Sequence, residues 1–424
     1  MGGTKILQVL KSQNIQNIFI FVCDSLRWDY TPTRIIQKGI TFKTIASSLY
    51  TAPSFASIIS GVYPPRHGVD TWEDILPNNK RGLLTIDGYN ISLWCETTWI
   101  DQAPNESSIH QILGNPPGIS LEEIFTPFIY IEDDKGGHCP YGLPFEEFGG
   151  GGCPRFYKEY AKKGREALIK QYKEGIRQSI QRFEKRLEIL KKRGIIDNTL
   201  VIFTSDHGEL LGEYGGLTGH GRPACPELVY VPTIFIHPSL KTKEIKEGVM
   251  RHVDLYPTIA GILNIKVPYK TDGVNLLNQP YPKIGLSFRK GGFFKTGRIK
   301  KFFRYSVSSA WDYYGGHIFH ELGLLRGSIL FFYNIFVRKS KEFCFLIEST
   351  KIDNFFQKTK KYLSALKHLS FSYLEYSHPQ CQLSKNKALR LINDYLQKVG
   401  KIEKEGQDID EEIRKKLKAL GYMD

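Results

Sequence analysis

The sequence predicts an α/β protein with a doubly wound, mostly parallel sheet, helices on both faces and a smaller C-terminal subdomain. Three observations carry this expectation. Five short, β-rich apolar runs are spread over the first two thirds of the chain. A long amphipathic helical pattern separates the third run from the fourth. Two of the runs end in an aspartate.

The first run, residues 18–24 (IFIFVCD), is apolar without alternation, as expected of a strand buried on both faces. Similar runs occupy 89–95, 127–132, 200–204 and 231–237. From 157 to 193 the pattern is helical: Tyr172, Ile176, Ile180, Phe183, Leu187 and Leu190 recur at spacings of three and four. Lys and Arg fill much of the remainder, and Gly194 stands where a C-cap glycine belongs. The glycine-rich residues 148–153 (FGGGGC) read as a flexible loop before that helix. The most lipid-like stretch, 324–337 (LLRGSILFFYNIFV), is too short to span a bilayer and contains Arg326, so a buried or surface-lying segment is expected.

Charge divides the chain. Of 424 residues with a formal net charge of +14, those from 281 onward hold 27 Lys and Arg against 14 Asp and Glu. The first 280 hold 31 against 30. A catalytic body over 1–280 and a basic subdomain over 281–424, ending in a charged amphipathic helix, are therefore expected. With 41% hydrophobic and 24% charged residues, global disorder is excluded. Seven cysteines, odd in number and without a C-x-x-C pair, argue against a disulfide framework or a structural zinc knuckle. With no signal-peptide pattern at the N-terminus, they lead to the expectation of a cytoplasmic protein.

Open α/β sheets bind ligands beyond the carboxyl ends of their strands. Asp24 ends the first run and Asp206 the fourth. His207 follows in TSDHGE, His220 in TGHGRP, and Thr51 opens TAPSFASIISGVYPPRHG. Two carboxylates and an imidazole suit a divalent ion such as Mn, Mg, Ca or Zn, and a hydroxyl beside such an ion can act as a nucleophile. Each piece has a plainer reading as well, since a strand-end Asp can cap a helix and a DHG can simply turn.

Taken in order, VCDSLRWD at 22–29, the TAPSF segment at 51–68 and TSDHGE at 204–209 resemble the sulfatase family, within the alkaline-phosphatase superfamily. ELVYVPTIF at 227–235, VDLYPTIA at 253–260, DGVNLL at 272–277 and ALGY at 419–422 continue the likeness, while 281–407 carry much less of it. The resemblance implies a metal held by Asp24, Asp206 and His207, with Thr51 as nucleophile and ligand, and in-line attack on a phosphoryl or sulfuryl centre. Two departures bear on the reaction. Sulfatases carry Cys or Ser where this chain has Thr51, and oxidise it to formylglycine. A threonine could give only a ketone, so no formylglycine is expected. The motif's Arg is replaced by Phe55, removing a cation from beside the anion. Both changes resemble the superfamily's phosphodiesterases and phosphotransferases. A phosphoester or phosphonate is therefore the expected substrate, with a true sulfatase and a non-catalytic protein binding an anionic ligand or membrane surface as alternatives. Ser25 also departs from a family that often has a second Asp there.

In 131–142 (IEDDKGGHCPYG), His138 belongs either to a sulfatase-like H-x-P-Y element near the leaving group or, with Asp134 and His220, to a second metal site. The first reading is preferred because Cys139-Pro140-Tyr141 continues it. In the one-metal reading His220 suits a leaving-group acid or a phosphate donor. Arg66 and His67 are expected to shape the loop after the nucleophile segment, Asp254 to cap a helix, and His252 to be structural. From 283 to 304 there are eight basic residues, no acidic one and five Phe. That stretch is either a solvated face over a subdomain core or a contact for an anionic partner: a small molecule, a lipid headgroup or a glycan ester. No standard nucleic-acid-binding signature is present.

Overall fold

The computed structural model describes residues 6–95, 103–291 and 305–401. A seven-stranded sheet forms the centre, built from β1 (Asn17–Cys23), β2 (Ile40–Ile45), β3 (Asn90–Trp94), β4 (Phe128–Asp134), β5 (Thr199–Thr204), β8 (Tyr230–Ile236) and β9 (Lys243–Arg251). Its order is β3-β4-β1-β5-β8-β2-β9. All neighbours are parallel except at β8, which runs antiparallel to both β5 and β2.

The central strand shows why its sequence lacks alternation. Side chains of β1 alternate between faces, yet both faces are covered. Ile18, Ile20 and Val22 enter a core with Phe55, Ile58 and Ile259, from the helices Thr51–Ser60 and Leu255–Ile262. Phe19, Phe21 and Cys23 enter the opposite core with Tyr172, Ile176, Ile180 and Phe183. Each such side chain contributes about 1.5–3 kcal/mol on burial.

The helical pattern expected over 157–193 is two helices, Gly152–Lys163 and Arg165–Lys192, because Gly164 adopts φ +91° between them. The stripe is buried as its spacing implies, with Leu187 only partly so, and Gly194 takes the left-handed conformation after the second helix. The glycine-rich loop is short helical backbone, Phe145–Gly151, kinked at Gly149 (φ +52°) and leading into the first helix.

After a two-stranded ribbon, β6 (Leu210–Glu213) with β7 (Leu217–Gly219), and after β9, the chain forms a second, antiparallel sheet. It consists of β10 (Gly285–Gly291), β11 (Tyr305–Trp311), β12 (Gly316–His320) and β13 (Tyr373–Tyr376), in that order. Tyr305, Val307, Trp311 and Ile318 share one core with Leu210, Leu217, Leu228 and Val229 of the main body. The smaller unit is therefore packed onto the larger one. Within it, Lys341–Ser349 forms a helix against Gly152–Lys163 and β7. Residues 324–337 form a surface-lying segment, the helix Gly323–Phe332 continued by a wider turn, Tyr333–Arg338. No helix among the described residues is long and apolar enough to cross a membrane.

Candidate active site

The carboxyl ends of β1 and β5 lie side by side in the sheet and place Asp24 and Asp206 together. Ser25 turns the chain after β1 with φ +61°, which aims its amide at Asp206 Oδ1 (3.1 Å), while its hydroxyl donates to Asp24 Oδ1 (2.7 Å). The carbonyl of Ser25 accepts from Tyr172 Oη at 2.8 Å, so the long helix fixes this uncommon backbone conformation. Gly208 is required by close approach, because a Cβ there would lie 1.8 Å from the Glu227 carbonyl oxygen.

His207 donates from Nδ1 to the Gly208 carbonyl (2.8 Å), which leaves Nε2 with its lone pair directed inward. Nε2 lies 3.1 Å from Thr51 Oγ1, 3.3 Å from Asp206 Oδ2 and 3.9 Å from Asp24 Oδ1. One ligand atom from each of Asp24, Asp206 and His207 falls within 4.8 Å of the others, the one such grouping of three among the described residues.

This donor set fits a divalent cation. Asp206 Oδ2 is buried and accepts no hydrogen bond. Burial, together with the facing charge of Asp206, holds the Asp24 carboxyl up to about 7. Burial holds Asp206 up to about 6 despite the amides that bond it. Two buried carboxylates facing each other repel, with the Lys135 ammonium only partly offsetting Asp24, and a divalent cation between them would supply the remaining counter-charge.

Thr51 is the first residue of a helix whose every residue is buried, so its hydroxyl is held at a helix amino end, where partial positive charge favours an anion. A cavity of about 250 Å³ opens in front of it. His138 and His220 line this cavity, their rings 5.1 Å apart, and the ring of His220 lies 4.4 Å from that of His207. Nδ1 of His138 donates to the Cys139 carbonyl at 2.7 Å. Nδ1 of His220 pairs with Glu209 Oε2 at 3.0 Å, and the other Glu209 oxygen accepts from Tyr141 and Tyr157. Each histidine thus has Nδ1 committed to a protein acceptor, which fixes the orientation of its ring in the cavity. Burial pushes both imidazoles well below their ordinary range, with Lys341 adding to the effect at His138 and His207 at His220.

Thr51, Asp24, Asp206, His207, His138 and His220 are therefore gathered at one place. Asp134 is not among them. Its carboxylate is turned away to the Arg182 guanidinium, which donates from Nε and from Nη2 (2.9 Å), and to the Gly136 amide (2.9 Å). Asp134, His138 and His220 accordingly form no ligand cluster. Asp254 stands at the N-cap position of the helix Leu255–Ile262 but bonds none of that helix's amides. Its carboxylate accepts from the Arg251 guanidinium and from the amides of Arg251 and Val274, the Arg251 amide bond capping the short turn His252–Asp254. Arg66 pairs with Asp272, His67 bonds Ser57 and the Val69 amide, and His252 bonds Ser205 and Ser47, all shaping loops. Phe55 sits in the core.

The cations absent from the Phe55 position come from elsewhere. Lys135, just past β4, and Lys341, at the start of a helix in the C-terminal subdomain, both line the cavity with Thr51. Sequence reasoning missed Lys341, which no motif marks, and Glu209, which reads as part of TSDHGE without a role. Of the basic stretch 283–304, residues 292–304 lie outside the described residues. Arg289 points inward, its guanidinium 4.5 Å over the ring of Tyr50, another cavity-lining residue.

With this geometry in view, the likeness to known proteins is decisive. The sulfatase family model matches residues 149–265. The low-salt glycan biosynthesis sulfotransferase Agl7 of Haloferax volcanii is 34% identical over 329 residues, which cover 76% of this chain and 79% of that protein. The chain belongs to the sulfatase family. The ulvan-active sulfatase of Formosa agariphila is 25% identical over 279 residues, covering 53% of this chain and 54% of that protein. Among solved structures, a 2-O GAG sulfatase aligns with a TM-score of 0.55 at 16% identity, covering 72% of this chain and 83% of that one. The phosphonate monoester hydrolase of Agrobacterium radiobacter aligns at 0.53 and 14% identity, covering 88% and 99%. Both structures share the sulfatase-family fold, that of the alkaline-phosphatase superfamily, and the chain is an enzyme of the sulfatase-like hydrolase type. Sulfatase-family enzymes are generally dependent on a divalent metal.

Proposed function

We propose that this sulfatase-family enzyme transfers a tetrahedral phosphoryl group, from an anionic phosphoester or phosphonate, through Thr51. The observation that carries this reading is the hydroxyl of an unoxidisable-to-aldehyde residue, Thr51, 3.1 Å from His207 Nε2 and beside the Asp24–Asp206–His207 donor set. A divalent ion held there by Asp24, Asp206, His207 and Thr51 would supply Lewis acidity and favour the deprotonated hydroxyl. Thr51 Oγ1 attacks phosphorus in line as the bond to the leaving oxygen breaks, and that oxygen takes a proton from His138 or His220. The acquired negative charge of bound substrate raises these depressed imidazoles toward protonation. In the second half, water or an acceptor hydroxyl attacks phosphorus, gives up its proton to the same imidazole, and Thr51 leaves as the alkoxide. Lys135 and Lys341 face the transferred oxygens, and two lysines suit a phosphoryl group, which carries more charge than a sulfuryl one.

A second reading is favoured by the Haloferax relative, named for sulfotransfer in glycan biosynthesis. In it the same Thr51 passes a sulfuryl group to a glycan hydroxyl. Side-by-side rates on an aryl phosphate, a phosphodiester, a phosphonate and an aryl sulfate, each with and without an acceptor glycan, separate the two. For either reading, Thr51→Ala is expected to lose about a thousandfold or more in kcat with metal content retained. Turnover unchanged in that variant would overturn the nucleophile assignment.

A further inference from the structure

The segment 323–338 carries an apolar face that no described residue covers. Leu325, Ile329, Phe332 and Phe336 recur at spacings of four, three and four, which is one stripe of a helix. All four are exposed, Leu325 by 77% and Phe336 by 67%. Leu324 and Val337 flank them and are exposed too. The other side of the same helix is already used, since Leu330, Phe331 and Ile335 are buried in the core shared with Trp311 and Ile318. Phe332 and Phe336 stack on each other, ring centroids 6.1 Å apart, and the edge of Phe332 meets the buried Phe331 at 5.4 Å, so the pair is anchored at its base and open on its outer face. A cluster of this size in water is the mark of an interaction surface.

The neighbouring helix, Phe355–Ser370, widens the face. A Cβ on Gly327 would meet Ser370, and the ring of Phe331 meets that of Tyr362, so the two helices run antiparallel. The Phe336 end of one therefore lies toward the start of the other, where Ile352, Phe355 and Phe356 are exposed. Between 323 and 371 the chain has nine Lys and Arg against three Asp and Glu. A second copy of this surface would bring like charge against like. An anionic bilayer accepts both the apolar side chains and the cations around them.

We propose that residues 323–338, with the turn at 352–356, form an interfacial docking surface for an anionic lipid membrane. The helix lies in the headgroup region with Leu325, Phe332 and Phe336 inserted and Arg338 and Lys339 toward the lipid phosphates. Docking brings the cavity near the membrane, because Lys341, which lines that cavity, follows Lys339 by two residues across the left-handed break between the two helices. The surface stands independently of which group Thr51 transfers.

The test is co-sedimentation of the full chain with vesicles of phosphatidylcholine alone or of phosphatidylcholine mixed with phosphatidylglycerol, with sedimentation velocity in the absence of lipid. Binding to the anionic vesicles is expected, at least about tenfold tighter than to neutral ones and weakened by salt. Leu325→Glu with Phe336→Glu is expected to lose about tenfold or more, with the far-UV spectrum and melting temperature unchanged. If the charged pair lowers the melting temperature, Leu325→Ser with Phe336→Ser reads the same loss. Phe125→Glu, at another exposed aromatic, should bind as the unaltered chain does. The proposal is overturned by absence of binding to anionic vesicles, by binding that the paired substitutions do not change, or by a lipid-free dimer that they convert to monomer.

Discussion

At the scale of single residues, the site is assembled from side chains with one task each, and the tasks can be separated by experiment. Thr51, Asp24, Asp206 and His207 crowd around one point. Lys341 comes from the other subdomain and reaches only the cavity. Burial alone would lower its pKa, but its acidic neighbours, Cys153, Glu342 and Glu209, outweigh that and keep the ammonium favoured. In the proposed reaction a cation placed there would hold substrate oxygens without touching the Asp24–Asp206–His207 donor set. Lys341→Met is accordingly expected to raise KM for a dianionic ester by about tenfold or more while leaving bound metal unchanged, and Lys341→Arg to recover part of it. Equal KM values for the two enzymes, measured by initial rates, would remove Lys341 from substrate binding. The residues at strand ends were legible in the sequence because Asp24 and Asp206 break apolar runs, and TSDHGE carries His207 with them. Lys341 was not legible. Its position depends on how a distant helix packs against Gly152–Lys163, and one lysine in a basic subdomain looks like any other.

Secondary-structure elements hold these residues in register, and the long helix Arg165–Lys192 is the main clamp. It buries its apolar stripe against β1 and sends Arg182 to Asp134 and Arg186 to Glu132, two carboxylates that are fully buried at the end of β4. Arg182→Met leaves the Asp134 charge uncompensated, and a cost of about 3–5 kcal/mol is expected in denaturant unfolding. Adding Asp134→Asn removes that charge, keeps an acceptor for the Gly136 amide, and should restore most of the loss. Metal content in the double variant is expected to stay at the unaltered level, since Asp134 faces Arg182 and not the donor cluster. A fall in metal stoichiometry would return Asp134 to the ligand set. Pattern reading found β1, β3, β4, β5 and β8, whose flanking layers make their sequences apolar. It missed β2 and β9, for reasons visible in their residues. β2 (ITFKTI) carries Lys43, whose ammonium donates to the Tyr313 carbonyl, and β9 (KEIKEGVMR) is an edge strand with exposed charges at Lys243, Lys246 and Glu247. The helical period likewise ran through Gly164 without a sign of the break, because a left-handed glycine costs the apolar spacing nothing.

Across the whole molecule, the sheet, its two cores and the docked subdomain seal several imidazoles away from water, and these are expected to set the acid limit of the fold. His67 and His252 are buried and already use both ring nitrogens, the first with Ser57 and the Val69 amide, the second with Ser205 and the Ser47 amide. Burial lowers each to about 3 from an ordinary value of 6.5. The sign follows directly. Between 6.5 and about 3 the unfolded chain binds a proton at each position and the folded chain does not, so stability falls as pH falls. Above 6.5 both states are neutral there and the contribution is flat. Each imidazole therefore gives a slope of about 1.4 kcal/mol per pH unit across that window. These two act on loops that carry the site, since Ser57 lies in the Thr51 helix and Ser205 precedes Asp206. Acid is thus expected to loosen the active-site loops and the fold together. Urea unfolding followed from pH 7.5 to 4.5 should show a stability plateau at the upper end and a steep loss below 6.5. His67→Gln, which cannot titrate, should reduce the slope by about 1.4 kcal/mol per pH unit whatever it does to the plateau. A parallel loss in both proteins would show that His67 is protonated in the folded state as in the unfolded one and contributes nothing to the acid limit.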